Sequence, residues 1–101
     1  MPSTASPEDK AREAARTKAF REANELMGRA WHVGGNSAKE YTEEQLQEAI
    51  RLYGDAKRLW EALGNRTWEA RTCHHAIEAI ETTLAAKRAS AALASATGGH
   101  R

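Results

Sequence analysis

The sequence predicts an all-α fold, a three-helix antiparallel bundle with a long loop between helix 1 and helix 2. Three observations carry that expectation. Apolar residues recur at steps of three and four in three separate stretches, as one buried face of a helix requires. Helix start and stop signals stand between those stretches, where the pattern breaks. No stretch alternates apolar and polar residues with β-branched enrichment, so no strand is expected.

Helix 1 opens at Ser6-Pro7-Glu8-Asp9, where serine is a favoured N-cap, proline fits the first turn and two acids suit the positive end of the helix dipole. Its stripe is Ala15, Ala19, Ala23, Leu26, Met27, Ala30 and Trp31, and Gly34-Gly35-Asn36-Ser37 is expected to end it. Thr42-Glu43-Glu44-Gln45 then forms a capping box, which leaves residues 33–41 as a loop. Helix 2 carries Leu46, Ala49, Ile50, Tyr53, Ala56, Leu59, Trp60 and Leu63, a bulkier face that suits the central packing element. Gly64 falls where positive φ is wanted past a helix end, with Asn65 or Thr67 available to cap the next helix. Helix 3 buries Trp68, Cys73, Ala76, Ile77, Ile80 and Leu84 before turning Ala- and Ser-rich and weak in core-forming bulk. The expected layout is a disordered 1–6, one helical domain over 7–96 with helices at about 7–32, 43–63 and 66–96, and a disordered tail at 97–101.

A chain of 101 residues can bury a core of its own without metals or disulfides. Lysine and arginine total 15 against 14 acids, so bulk charge gives no general pull toward nucleic acid or membrane. Cys73 is the only cysteine, which excludes an intramolecular disulfide and points to a reducing compartment. Met1 to Asp9 shows no basic segment followed by an apolar one, and nowhere do about 18 apolar residues run together. A cytoplasmic location with no membrane contact is expected.

The stretch from Ala49 to Ala70 places a small residue, Ala49, an aromatic four later, Tyr53, and a second small residue three after that, Ala56. It closes on Leu63-Gly64-Asn65. Small residues let neighbouring helices approach while the aromatic fills the space between them. This pattern resembles the tetratricopeptide (TPR) repeat, most clearly over residues 46–70. Met27-Gly28 with Trp31 resembles the Leu-Gly-x-x-Tyr of that family's first helix, and Cys73, Ala76 and Ile80 fall near the buried places of a following one. The resemblance implies an adaptor that grips a peptide or helix of a partner protein. It implies contact residues on the outward faces of the first helices: Glu22, Glu25, Arg29 and His32, then Arg71, His74, Glu78 and Glu81. Trp31 and Trp68, at helix ends, are expected as interface anchors, and Trp60 as core.

Residues with the chemistry of catalysis or metal binding lack the spacing for it. Cys73-His74-His75 carries zinc-ligand types, yet adjacent helical residues point about 100° apart and cannot close on one ion. A core cysteine with two solvated histidines is the plainer reading. No third group or oxyanion loop accompanies them to support a Cys-His nucleophile. Gly34-Gly35-Asn36-Ser37 has neither the P-loop frame nor a preceding strand, so a flexible turn is expected. Glu40, Glu43, Glu44 and Glu48 read as a solvated acidic start to helix 2. Lys10, Arg12, Arg16, Lys18 and Arg21 gather in helix 1, with Lys87, Arg88 and Arg101 late in the chain. These two groups form a positive patch if the terminal regions lie side by side. Without interleaved stacking aromatics, nucleic acid is not the expected partner.

The expectation is therefore a non-enzymatic protein-interaction module with no cofactor and no metal. The alternative is a self-assembling structural protein, a homodimer or larger, joined through its long first and third helices. A variant of that alternative resembles small helical-hairpin secretion substrates with Trp-x-Gly in the bend. Here the bend reads Trp31-His32-Val33-Gly34, one residue longer.

Overall fold

The computed structural model describes the backbone of residues 6–98 and the side chains of residues 6–95. The chain is all-α, with three helices and no strand among the described residues: α1 (Pro7–Ala30), α2 (Glu43–Leu63) and α3 (Thr67–Gly98). Of the segments expected to be disordered, residues 1–5 and 99–101 lie outside the described residues, Ser6 caps α1, and residues 97–98 belong to α3. No helix among the described residues is long and apolar enough to cross a membrane.

Local chemistry sets the helix ends. Ser6 Oγ accepts from the Asp9 N–H at 3.2 Å with proline following. The capping box is complete: Gln45 N–H donates to Thr42 Oγ1 at 3.1 Å and Thr42 N–H to Gln45 Oε1 at 2.8 Å. Gly64 ends α2 with φ of 85°, a conformation that costs other residues about 1–2 kcal/mol. The flanking residue of α3 is Arg66, whose carbonyl accepts from Ala70 N–H at 3.0 Å, not Asn65 or Thr67.

The end of α1 departs from the expected loop. Trp31–Gly35 continues it as a single π-helical turn, and only residues 36–42 are irregular. Packing explains this. A Cβ on Gly34 would lie 2.7 Å from Ala49 Cβ, and one on Gly35 would lie 2.5 Å from the Tyr53 hydroxyl. The two glycines let the widened turn press onto α2.

α2 is the central element: α1 and α3 both pack against it and barely touch each other. Covered on two sides, it buries Leu46, Ala49, Leu52, Tyr53, Ala56, Trp60 and Leu63. Leu52 lies outside the single stripe expected from the sequence and is buried because α2 has two covered sides. α1 adds Ala23 and Ala30, and α3 adds Cys73, Ile80 and Leu84. Three expected core members are exposed: Ala15, Trp31 and Trp68. Trp31 is 47% exposed because it stands one residue, about 100° round the helix, past the buried Ala30. Ala15 lies beyond the end of α2, since the next residue, Arg16, already reaches its last one, Leu63. Trp68 is 73% exposed, as five residues before Cys73 is about 140° round the helix from the buried stripe.

α1 and α3 run in the same direction and overhang opposite ends of α2. Arg16 of α1 reaches the end of α2, whereas Arg88 of α3 lies 3.8 Å from Glu43 at its start. The long axis is 84 Å and the radius of gyration 19.6 Å. A compact chain of this length would have a radius of about 13 Å.

Candidate interaction surface

One end of the surface is organised around Phe20. Its ring meets Trp60 edge-on at 5.3 Å between centroids, and the Arg66 guanidinium lies 4.7 Å above it. Arg66 also pairs with Glu69 at 3.2 Å. Arg16 donates to the Leu63 carbonyl at 2.9 Å, placing a cation at the negative end of the α2 dipole. Glu13, Arg16, Phe20, Leu63 and Arg66 thus line a cleft of about 310 Å3 at the α2–α3 turn.

The residues expected at an interface are all exposed. Glu22, Glu25 and Arg29 lie on α1 and His32 on the π-helical turn, while Arg71, His74, Glu78 and Glu81 lie on α3. No described contact joins the two groups, consistent with how little α1 and α3 touch. Within the α3 group, His74 pairs with Glu78 one turn on, an ion pair when the imidazole is protonated. Trp31 is 47% exposed with its ring edge-on to His32, and Trp68 is the most exposed large apolar side chain described.

The outer face of α2 is internally satisfied. Arg51 bonds both Glu48 and Asp55, and Arg58 bonds Asp55, at helical spacings of three and four. The hydrogen bond from Arg51 holds the Glu48 carboxyl below its usual range, with the Arg29 charge contributing further.

Cys73 is buried while His74 and His75 are exposed, so the three side chains do not converge. Among the described residues no group of three or more His, Cys, Asp or Glu could hold a metal ion. Burial pushes the Cys73 thiol up to about 11. The condition for a joint positive patch is not met: Lys10 to Arg21 lie toward one end of the molecule, and Lys87 and Arg88 toward the other. Arg101 lies outside the described residues.

A second recess, invisible to helical periodicity, lies where the π-helical turn and the segment after it cross α3. Leu46, Ala76, Ala79 and Ile80 form its apolar part in a cavity of about 170 Å3. It shares Lys39, Tyr41, Leu46 and Thr83 with an adjoining cavity of the same size that Glu40 and Lys87 also line. Loop residues and a distant helix meet there, so no spacing in the sequence signals it.

Compared with protein-family models, with curated proteins and with solved structures, the chain matches none.

Proposed function

We propose that this chain is a non-enzymatic protein-interaction module, a bundle of TPR-like helical hairpins that binds a peptide or helix of a partner protein in the cytoplasm. The observation that carries this reading is Trp68, 73% exposed on the first turn of α3 with the exposed Arg71 three residues on. An indole left in water forgoes about 25 cal/mol for each Å2 of apolar surface it could bury, so a protein surface that covers it gains that energy. Tryptophan and arginine are also among the residue types enriched at the energetic centres of interfaces. Glu22, Glu25 and Arg29 before Trp31 and His32 just after it, with His74, Glu78 and Glu81 further along α3 from Trp68, offer charges of both signs for a partner to complement.

The test is affinity capture with the whole chain, comparing Trp68→Ala and the pair Arg71→Ala with His74→Ala against Arg58→Ala on the outer face of α2. Partners lost with the first two variants and retained with the third support the reading. Partners indifferent to all three sink it.

The alternative, self-assembly, draws on the elongated shape: two helices overhang α2 at opposite ends, and the radius of 19.6 Å exceeds that of a compact chain. Light scattering behind size exclusion across a concentration series distinguishes the two, since an adaptor stays monomeric and an assembling bundle gains mass.

A further inference from the structure

We infer that the recess between the loop and α3 is a docking site for an acidic amphipathic helix of a partner protein. The site seats one aliphatic side chain between two lysines. The cavity, at about 170 Å3, has room for a single aliphatic side chain. Its floor is apolar, formed by Leu46 and Ile80. The α3 wall carries Ala76 and Ala79, small enough for another helix to approach closely. Thr83 makes no polar demand on the occupant, because its hydroxyl already donates to the Ala79 carbonyl at 3.0 Å.

Charge decides the occupant. Lys39 and Lys87 line the adjoining cavity, and neither ammonium is engaged in an ion pair among the described residues. Glu40 is the single acid there, while the nearby Glu43 is turned toward Arg88. The rim is therefore net positive around an apolar floor. A helix bearing Leu, Ile or Met with Asp or Glu three or four residues away satisfies both.

This inference rests on the interaction-module reading but uses a different surface from Trp68 and Arg71, so the two can fail separately. The probe is a display library of random helix-length peptides selected on the full chain, with the winners measured by fluorescence anisotropy. Selected peptides are expected to carry an aliphatic residue flanked by acids at helical spacing. They should bind the double variant Lys39→Glu, Lys87→Glu about tenfold or more weakly, since like charge now faces like. Filling the recess with Ala79→Trp should do the same, and Arg71→Ala with His74→Ala should change nothing. All three groove positions are exposed, and helicity checked by circular dichroism confirms each variant folds. If Ala79→Trp does not fold, the lysine pair carries the test.

Winners that ignore the groove variants but need Arg71 and His74 overturn this site and leave the module reading standing. A library that yields no binder overturns both. Self-association abolished by the lysine reversals would put a second copy in the groove and overturn the assignment to a foreign partner.

Discussion

The Trp60 indole N–H donates to Met27 Sδ at 3.1 Å, the one side-chain polar contact described between the cores of α1 and α2. Trp60 is 1% exposed, so its N–H has no water to turn to. Met27→Leu keeps the volume and removes the acceptor, leaving a buried donor unpaired at a cost of about 1–3 kcal/mol. In a Trp60→Phe background that donor is gone, and Met27→Leu should cost about 1 kcal/mol less than in the native chain. Urea unfolding of the four proteins in the cycle measures the difference. Equal costs in both backgrounds would show that the sulfur acts by packing alone.

The glycines divide by what surrounds them. Gly34→Ala and Gly35→Ala place a Cβ 2.7 Å from Ala49 Cβ and 2.5 Å from the Tyr53 hydroxyl, so each should cost about 1–3 kcal/mol through overpacking. Gly28 sits inside α1 with nothing within 4 Å of such a Cβ, and Gly28→Ala should stabilise by about 0.5–1 kcal/mol. Thermal midpoints moving in opposite directions confirm the pairing. A destabilising Gly28→Ala would mean the α1 surface is covered there.

These glycines also mark where sequence reasoning stops. The capping box of Thr42 and Gln45, the Ser6 cap and the positive φ of Gly64 are local events, decided within four residues, and the sequence displays them directly. Gly34 and Gly35 were expected to stop a helix, the usual consequence of their backbone freedom. Their role here is contact with Ala49 and Tyr53, a tertiary property of residues about one helix away. Leu52 was overlooked for a related reason, because a search for one stripe cannot see that α2 is covered on two sides. Whether the basic residues of α1 adjoin Lys87 and Arg88 depends on which way each helix overhangs, which no local pattern encodes. The charged candidates were legible as exposed and as one group on α1 and another on α3, but that the two groups do not meet was not, and Trp31 and Trp68 also fell on stripes expected to be buried.

Arg16 should contribute through the end of α2. Its guanidinium donates to the Leu63 carbonyl at 2.9 Å, satisfying an acceptor that no further helical turn reaches. Arg16→Ala is expected to cost about 0.5–1.5 kcal/mol, and Arg16→Lys less, since lysine keeps the favourable charge at the dipole. Denaturant midpoints for the two variants decide it. Identical losses would assign the effect to the guanidinium geometry alone.

Cys73 should be inert in the native protein. Burial raises its thiol from the ordinary 9.0 to about 11, and the side chain has no exposed surface. Alkylation at pH 8 is expected to be more than tenfold slower in buffer than in denaturant, because only the thiolate reacts. The sign of the linkage follows. Between 9.0 and about 11 the folded thiol holds a proton that the unfolded one releases, so this contribution to stability is complete below pH 9 and falls as pH rises through that window. A native alkylation rate close to the denatured one would mean that α3 opens readily around Cys73.

Trp68 and Trp60 should answer opposite questions under substitution. Trp60 fills the core at 1% exposure, and Trp60→Ala is expected to cost about 3–5 kcal/mol, a large share of the stability of a small domain. Trp68, at 73% exposure, has little packing to lose, and Trp68→Ala should stay within about 0.5 kcal/mol of the native chain. Removing it should nevertheless take away much of the emission that acrylamide quenches, leaving Trp31 at 47% exposure as the remaining accessible indole. Binding of a partner should protect Trp68 in the native chain and reduce that quenching. If Trp68→Ala instead costs more than about 2 kcal/mol, the ring is held by the protein's own surface, since exposed positions rarely reach that figure. Its place as an interface anchor, and with it the strongest support for the interaction-module reading, would then be lost.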